Sequence, residues 1–202
     1  MPSSLANLPI FSWYPERKQP SVTILGVISD THIPDRVPRL NDRVFEVFRE
    51  AGVQQILHAG DIMSQAVLDE LAQVAPVQAV RGNRDIWNLK HLPDRLQLDV
   101  EGVRIGLTHG HGKLADYVYE KFEIAIKGKR VGRYLRRVVA DFPQAQVVVF
   151  GHLHVAGILN LDGKLVVNPG SASCPFPRSL KPSVGLLYVE AGQARAEIVE
   201  LN

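Results

Sequence analysis

The fold is indicated first by a short apolar stretch near the start of the chain. Residues 22–28 have the sequence VTILGVI, and Ser29-Asp30-Thr31-His32 follows directly. Apolar and β-branched residues are nearly continuous in this stretch, which is typical of a strand that is covered on both faces. Such strands occur mainly in parallel sheets with helices packed on them, so the stretch predicts an α/β fold.

Helices and strands alternate downstream of this first strand. Pro38 stands early in a segment with apolar residues at helical spacing, and Gly52 stands at its end, as is common at the two ends of a helix. The predicted order is strand 22–28, helix 38–52, strand 55–59, a helix capped by Ser64 and ended by Pro76, and strand 77–80. This alternation predicts a largely parallel sheet, in which ligands bind beyond the carboxyl ends of the strands.

The second half of the chain is richer in short strands. Strands are predicted at 96–100, 103–108 and 147–150, with a helical stretch before the last, and at 155–159, 164–167, 184–189 and 194–199. The last four are separated by Asp162-Gly163, Pro169-Gly170 and Gly192, which predicts a meander. We expect an α/β protein, or α+β in some schemes: a four-layer αββα sandwich of two mixed β-sheets flanked by helices.

Length and composition favour one ordinary globular domain. The chain has 202 residues, of which 46% are hydrophobic and 22% charged. These fractions are close to the averages of about 45 to 50% and about 25% for globular proteins, so neither a disordered nor a fibrous chain is indicated. Residues 1–21 are rich in Pro and Ser and lack periodicity, and are predicted to be an N-terminal extension to a domain at 22–202.

Cysteine content and hydropathy predict a cytoplasmic protein. Cys174 is the single cysteine, so the chain forms no internal disulfide and has no metal site made of thiolates alone. No apolar run approaches the ~18 residues of a membrane helix. Residues 1–21 lack the charged-then-apolar order of a signal peptide. We expect no membrane partner.

The charge of the chain is unevenly distributed. The formal net charge is +2, from 23 basic and 21 acidic residues. Six of the basic residues lie in the segment 127–137, which has no acidic residue. On a helix, Lys129, Arg130, Arg133, Arg136 and Arg137 would share one face, opposite Val131, Tyr134, Leu135, Val138 and Phe142. This amphipathic segment is either a docked helix with a solvated basic side or a contact for nucleic acid or another polyanion.

Polar side chains stand at the ends of the predicted strands. The sequences there are Asp30-x-His32, Gly60-Asp61, Gly82-Asn83, His109 and Gly151-His152-x-His154. Because parallel strands present their carboxyl ends at the same edge of a sheet, we expect these seven potential ligands to converge. The composition would give about 0.2 His-x-His pairs by chance, yet two occur, at His109-x-His111 and His152-x-His154.

A single metal ion that keeps open coordination positions needs fewer than seven nitrogen and oxygen ligands. The set therefore predicts two divalent ions, ~3.5–4 Å apart, which share a carboxylate and activate a bridging water for attack on phosphorus. Mixed imidazole, carboxylate and amide ligands suit Mn, Fe, Zn or Ni, whereas Mg and Ca prefer oxygen ligands. Mn is the favoured ion, with the others open.

The ordered motifs resemble those of the calcineurin-like metallophosphoesterases, in particular the small single-domain phosphodiesterases of bacteria and archaea. The resemblance extends to His58-Ala59-Gly60-Asp61, Thr108-His109-Gly110-His111 and Asn168-Pro169-Gly170-Ser171. It implies that one ion is held by Asp30, His32 and His154, the other by Asn83, His109 and His152, and that Asp61 bridges both. His58, inside a strand, is predicted to be a buried core histidine or one that supports the ligands, and direct contact with the site is the alternative.

The position after Asn83 departs from the family pattern. Many larger relatives have a histidine there that contacts the phosphate, whereas this chain has Arg84. A guanidinium can hold a phosphate oxygen but cannot donate a proton at ordinary pH. His111 is the candidate proton donor to the leaving group, although it could instead only orient its loop. The predicted catalytic residues are thus Asp61, Asn83, Arg84 and His111, and the last three are also the predicted substrate-binding residues.

The favoured function is a metal-dependent phosphoesterase, specifically a phosphodiesterase that acts on a small phosphate ester without a covalent enzyme intermediate. Three alternatives remain. A phosphomonoesterase would need extra cations, which Arg84 and Arg178 could supply; a nuclease would use the basic segment 127–137; and a non-catalytic metal-binding scaffold occurs among members of this fold. The natural substrate and the oligomeric state are open.

Overall fold

The computed structural model describes residues 22–112 and 131–202. The predicted extension at 1–21 and the basic residues at 127–130 lie outside the described residues. Among the helices that are described, none has the length and apolar character needed to cross a membrane.

The described elements follow the predicted order, with small differences at their ends. They are β1 (Thr23–Ile28), α1 (Asp42–Glu50), β2 (Gln55–His58), α2 (Gln65–Ala72), β3 (Val77–Ala79), β4 (Arg95–Val100), β5 (Val103–Thr108), α3 (Val131–Ala140), β6 (Val147–Phe150), β7 (Ala156–Leu161), β8 (Lys164–Pro169), β9 (Ser183–Glu190) and β10 (Gln193–Glu200). Helix α1 begins later than Pro38 because the Asn41 side chain caps it, accepting a hydrogen bond from the Arg43 amide at 2.9 Å. Ser64 caps α2 as predicted.

Within the described residues the strands form two five-stranded sheets. The β1 sheet has the order β10-β9-β1-β2-β3, and the β5 sheet has the order β4-β5-β6-β8-β7. Strands β1, β2 and β3 run parallel, as do β5, β6 and β8, and the remaining neighbours pair antiparallel. Each sheet therefore has three adjacent strands with their carboxyl ends at one edge.

The two sheets pack face to face and helices cover their outer faces. Leu25 and Val27 of β1 lie in the core between the sheets, whereas Ile28 lies in the core under α1 and α2. Helix α3 covers the β5 sheet through Tyr134 and Val138. The predicted four-layer αββα sandwich is thus confirmed. Because successive strand residues point to opposite faces, a strand between two such cores must be apolar over most of its length, as β1 is from Ile24 to Ile28.

The predicted meander at the C-terminus is wrong. Strands β7 and β8 form a hairpin in the β5 sheet, whereas β9 and β10 form a hairpin in the β1 sheet. The connection between β8 and β9 crosses the end of β1, where the Ala172 amide donates to the Ser29 carbonyl at 3.1 Å and the Ser171 hydroxyl donates to the Asp30 carbonyl at 2.7 Å. The glycine turns fix each hairpin locally, but long-range contacts decide which sheet it joins.

Candidate metal centre

The seven predicted ligands lie together beyond the carboxyl ends of parallel strands. Their convergence differs from the prediction in one respect, because they come from two sheets and not from one edge. The loops after β1, β2 and β3 carry Asp30, His32, Asp61 and Asn83, and the loops after β5 and β6 carry His109, His152 and His154. The centre therefore lies where the two sheets meet.

A first donor group consists of Asp30, His32 and His154. The His154 Nε2 atom lies 3.1 Å from Asp30 Oδ1 and 3.2 Å from His32 Nε2, and His32 Nε2 lies 3.8 Å from Asp30 Oδ1. Asp30 Oδ1 is buried, and no residue of the described ranges gives it a well-aligned hydrogen bond. A buried carboxylate oxygen that faces two imidazole nitrogens is the arrangement expected of metal ligands.

A second donor group consists of Asn83, His109 and His152. The His109 Nε2 atom lies 3.2 Å from Asn83 Oδ1 and 3.3 Å from His152 Nδ1. The two histidine rings meet edge to face, with their centroids 5.1 Å apart. This group again combines imidazole nitrogens with an oxygen donor.

Asp61 lies between the two groups. Its Oδ2 atom is 3.6 Å from His32 Nε2 in the first group, and its Oδ1 atom is 3.5 Å from His109 Nε2 in the second. Oδ1 also accepts a hydrogen bond of 2.9 Å from the Arg84 amide, which fixes the orientation of the carboxylate. Each carboxylate oxygen thus faces a different donor group.

Hydrogen bonds behind the centre orient two of the imidazoles. His109 Nδ1 donates to the Ala59 carbonyl at 2.7 Å, and His154 Nδ1 donates to the Cys174 carbonyl at 2.6 Å. Because carbonyl oxygens only accept, these bonds place a proton on each Nδ1 atom and direct both Nε2 atoms at the centre. The donor chemistry and its orientation therefore fit divalent transition-metal ions.

The backbone at the centre is held in an uncommon conformation. Positive φ angles occur at five of the seven candidate ligands: Asp30 (53°), His32 (47°), Asp61 (54°), His152 (70°) and His154 (56°). Side chains disfavour this region, so the surrounding structure must maintain it. The Asp30 amide donates to the Gly60 carbonyl and the His32 amide to the Asp61 carbonyl, each at 3.0 Å, and these bonds join the β1 and β2 loops.

Asp85 is a supporting residue that the sequence analysis missed. Its carboxylate accepts hydrogen bonds from the amides of Ile62 (2.9 Å), Met63 (2.8 Å) and Gly82 (2.8 Å), and its side chain is fully buried. It therefore ties the loop that carries Asp61 to the loop that carries Asn83. Its position two residues after Asn83 was the only sequence signal, and an acidic residue in a loop is too common to be distinctive.

The electrostatics of the centre are dominated by burial. Burial raises the pKa of Asp61 and lowers the pKa of His32 to about 4 and that of His152 to about 3. Asp30 and His154 stabilise each other's charge strongly enough to outweigh burial. The pKa of Asp30 is consequently held below its ordinary value, and that of His154 rises to about 11.

His58 is buried beside the centre, as predicted, and contacts none of the candidate ligand atoms. Its Nδ1 atom accepts a hydrogen bond of 3.2 Å from the Gly60 amide, and Nε2 lies 3.3 Å from the Thr31 hydroxyl, which donates to the Ile62 carbonyl. The ring is therefore neutral, with its proton on Nε2. Burial is the main reason that the pKa of His58 falls to about 3.

The lowered pKa of His58 predicts a loss of stability in acid. Below pH about 6.5 the unfolded chain binds a proton at this side chain that the folded protein does not bind until pH about 3. The free energy of unfolding should therefore decrease as pH falls through this window, by about 1.4 kcal/mol per pH unit from this group. We expect urea unfolding of the metal-free protein to show that the free energy of unfolding falls between roughly pH 6 and pH 4. This fall should be steeper in the parent protein than in the His58→Gln variant. Parallel pH profiles for the two proteins would contradict this assignment.

Arg84 and His111 lie beside candidate ligands, whereas Arg178 has no recorded contact with the centre in the described part of the chain. The Arg84 guanidinium donates to Asp35 Oδ2 at 3.1 Å, and the His111 ring lies 5.4 Å from the His109 ring, centroid to centroid. Burial lowers the pKa of His111 to about 4. Arg178 is exposed.

Cys174, for which the sequence indicates no role, positions His154 through its carbonyl group, and its Sγ atom lies 3.6 Å from His154 Nδ1.

Helix α3 only partly matches the predicted amphipathic helix. It ends at Ala140, before Phe142, and the described Arg133 and Arg136 are exposed while Tyr134 and Val138 are buried, as the spacing predicts. Arg137 differs, because it is half-buried and its Nη2 atom donates to the Gly110 carbonyl at 2.9 Å. The prediction that Arg137 lies on a solvated basic face is therefore wrong. Its side chain contacts the loop that carries His109, because the helix packs against that loop.

The amino-acid sequence is similar to those of known proteins. A family model described as the calcineurin-like phosphoesterase superfamily domain matches residues 24–192. A probable metallophosphoesterase of Methanothermobacter thermautotrophicus is 37% identical over 87% of this chain and 91% of its own length. A phosphodiesterase of Methanocaldococcus jannaschii is 27% identical over 87% of this chain and 99% of its own length.

Solved structures agree on the fold. The crystal structure of Vps29 from Chaetomium thermophilum covers 89% of this chain and 95% of its own, with a TM-score of 0.66 and 20% identity. At this identity the likeness concerns the fold alone.

Proposed function

Because the chain belongs to the calcineurin-like phosphoesterase superfamily, we propose that it is a binuclear metal-dependent phosphodiesterase. The observation that carries the proposal is the position of Asp61, whose two carboxylate oxygens face different donor groups. Asp30, His32 and His154 would hold one divalent ion, and Asn83, His109 and His152 the other. The mixed donors favour Mn, with Fe, Zn or Ni as alternatives.

The ions, when bound, supply Lewis acidity that activates water and neutralises charge on the phosphoryl group. The protein contributes the geometry. Asp61 faces both donor groups and links them. The carbonyl groups of Ala59 and Cys174 orient His109 and His154 for metal binding, because each accepts a hydrogen bond from Nδ1. Because these contacts exist in the protein itself, the centre needs little reorganisation before reaction.

Two side chains are proposed to contact the substrate. Arg84 follows Asn83 directly, and its guanidinium would hold a phosphate oxygen and stabilise the charge that develops in the transition state. His111 is half-buried next to His109, and because burial keeps its ring neutral, it would donate a hydrogen bond to the leaving group. Esters with good leaving groups should need this donation least.

A diester substrate is proposed on two grounds. The relative from Methanocaldococcus jannaschii, which matches over nearly its whole length, is named a phosphodiesterase. The cation that follows Asn83 is paired with a carboxylate, because Arg84 lies 3.1 Å from Asp35, and this pairing suits a singly charged phosphate better than a doubly charged one.

The proposal is tested by measuring activity as a function of metal and substrate. Protein stripped with a chelator would be loaded with Mn, Zn, Ni or Fe and assayed on bis-p-nitrophenyl phosphate and p-nitrophenyl phosphate. We expect no activity without metal, maximal activity at two ions per chain, and preference for the diester. In the His111→Ala variant, alkyl esters should be affected more than nitrophenyl esters. A metal-loaded protein that hydrolyses no ester would favour the scaffold alternative instead.

A nuclease is the second candidate, and the position of α3 favours it. Arg137 joins this helix to the loop that carries His109, so the exposed Arg133 and Arg136 lie on the element next to the centre. A nucleic-acid backbone could therefore contact these residues. Hydrolysis of an oligonucleotide that falls steeply with salt would support this candidate, and activity on nitrophenyl esters alone would contradict it.

A further inference from the structure

Asp35, the carboxylate that pairs with Arg84, has no part in the hydrolytic step proposed above. It lies three residues after His32, on the loop that follows β1. Its Oδ2 atom accepts a hydrogen bond of 3.1 Å from Arg84 Nη1 and lies 3.4 Å from Arg36 Nε. The loop is held near the centre, because the His32 amide donates to the Asp61 carbonyl and the Arg36 amide donates to the His32 carbonyl.

The ion pair of Arg84 and Asp35 joins the two loops that carry Asn83 and His32. Arg84 follows Asn83 of the second group, and its amide donates to Asp61 Oδ1 at 2.9 Å, whereas Asp35 follows His32 of the first group. An incoming phosphate would therefore meet this pair.

The pair is accessible to solvent and can exchange partners. The side chains of Arg84 and Asp35 are 41% and 37% exposed. An ion pair at this exposure contributes little free energy, so a phosphate oxygen can compete with Asp35 for the guanidinium. The carboxylate stays nearby, however, and repels additional negative charge on the ligand.

We propose that Asp35 limits the charge that the centre accepts, and that its pairing with Arg84 makes a singly charged phosphodiester preferred over a doubly charged phosphomonoester. The inference rests on the proposed phosphoesterase function and assigns the diester preference to one residue. A monoester carries nearly two charges at neutral pH, because its second pKa is about 6. The additional charge is repelled by Asp35, whereas a diester has a single charge, which Arg84 offsets.

The test compares Asp35→Asn with two control variants in the metal-loaded protein. Asp35→Glu keeps a negative charge on the same side chain, one methylene group further from the backbone. Asp99→Asn removes the carboxylate from another exposed ion pair, which Asp99 forms with Arg104 at 3.7 Å. Arg104 lies near the start of β5, at the opposite end of this strand from His109, so Asp99→Asn controls for the change in net charge.

Two readouts are measured for each variant. The first is the affinity for inorganic phosphate and for diethyl phosphate, by titration calorimetry. The second is kcat and KM for p-nitrophenyl phosphate and bis-p-nitrophenyl phosphate. In Asp35→Asn we expect affinity for inorganic phosphate and kcat/KM for the monoester to rise about three- to tenfold relative to the diester. The change should lie mainly in KM, and both control variants should behave as the parent protein does.

The outcomes distinguish this inference from the proposed function. If Asp35→Asn changes mono- and diester activity by the same factor, or leaves phosphate affinity unchanged while hydrolysis persists, the inference is overturned and the function stands. If no variant hydrolyses any ester but Asp35→Asn still binds inorganic phosphate more tightly than Asp99→Asn does, the function fails and the charge selection stands.

Discussion

Asp61→Asn should remove both divalent ions together and lower phosphoesterase activity on the order of 10³-fold or more. Oδ1 and Oδ2 of Asp61 face different donor groups, at 3.5 Å from His109 Nε2 and 3.6 Å from His32 Nε2. An amide has one oxygen and no charge, so it can neither serve both groups nor offset their cations. Asn also tolerates the positive φ of 54° at this position, so the backbone should be preserved.

Metal content and activity of the purified variants provide the measurement. Inductively coupled plasma mass spectrometry after gel filtration should find two metal ions per chain in the parent protein and close to none in the Asp61→Asn variant. His154→Ala should affect mainly the ion in the first donor group, and Asn83→Ala mainly the ion in the second, because these side chains each belong to one group. Equal retention of metal and activity in all three variants would refute the shared carboxylate.

Gly82→Ala should disable the centre although it replaces none of the candidate ligands. A Cβ atom at Gly82 would collide with Oδ1 and the amide nitrogen of Asp61. Gly82 cannot retreat easily, because its amide donates to the buried Asp85 carboxylate at 2.8 Å. The Asp61 carboxylate must therefore move, and we expect metal affinity and activity to fall about 100-fold, the upper range for changes behind a metal site.

The matched control is Gly157→Ala, in strand β7. No atom of the described residues lies within 4 Å of a Cβ built at Gly157, so this substitution should leave activity unchanged. Circular dichroism should be the same for both variants, because the collision at Gly82 is confined to the loops. Wild-type metal affinity in a folded Gly82→Ala protein would show that the position of Asp61 is less constrained than the structure indicates.

The layers of the fold were predictable because they follow from local patterns. Continuous apolar residues in β1 predicted a strand between two cores, and Ser64 predicted the start of α2. The order of sheets at the C-terminus was not predictable in the same way. The turns at Asp162-Gly163 and Gly192 specify hairpins, but only contacts such as Ser171 to Asp30 show that β8 and β9 belong to different sheets.

The candidate ligands were predictable, and their supporting residues were not. Asp30, Asp61 and His154 stand in motifs of short fixed spacing, so the sequence alone identified them. Asp85 and Asp35 act on neighbours that are distant in sequence, since Asp85 accepts from Ile62 and Asp35 pairs with Arg84. The division into 1–21 and 22–202, the cytoplasmic location and the identity of the metal stay predictions.

The sequence by itself determined the layered α/β class and the seven polar residues at strand ends, whose types make them candidate metal ligands. These properties depend on residue type and on spacing over a few positions, which a sequence displays directly. Only the tertiary structure decided that two sheets share the centre, that each oxygen of Asp61 faces a different donor group, and that Arg84 is paired with Asp35. Charge balance and carboxylate orientation depend on distances of a few ångströms between residues far apart in the chain, and folding alone sets those distances.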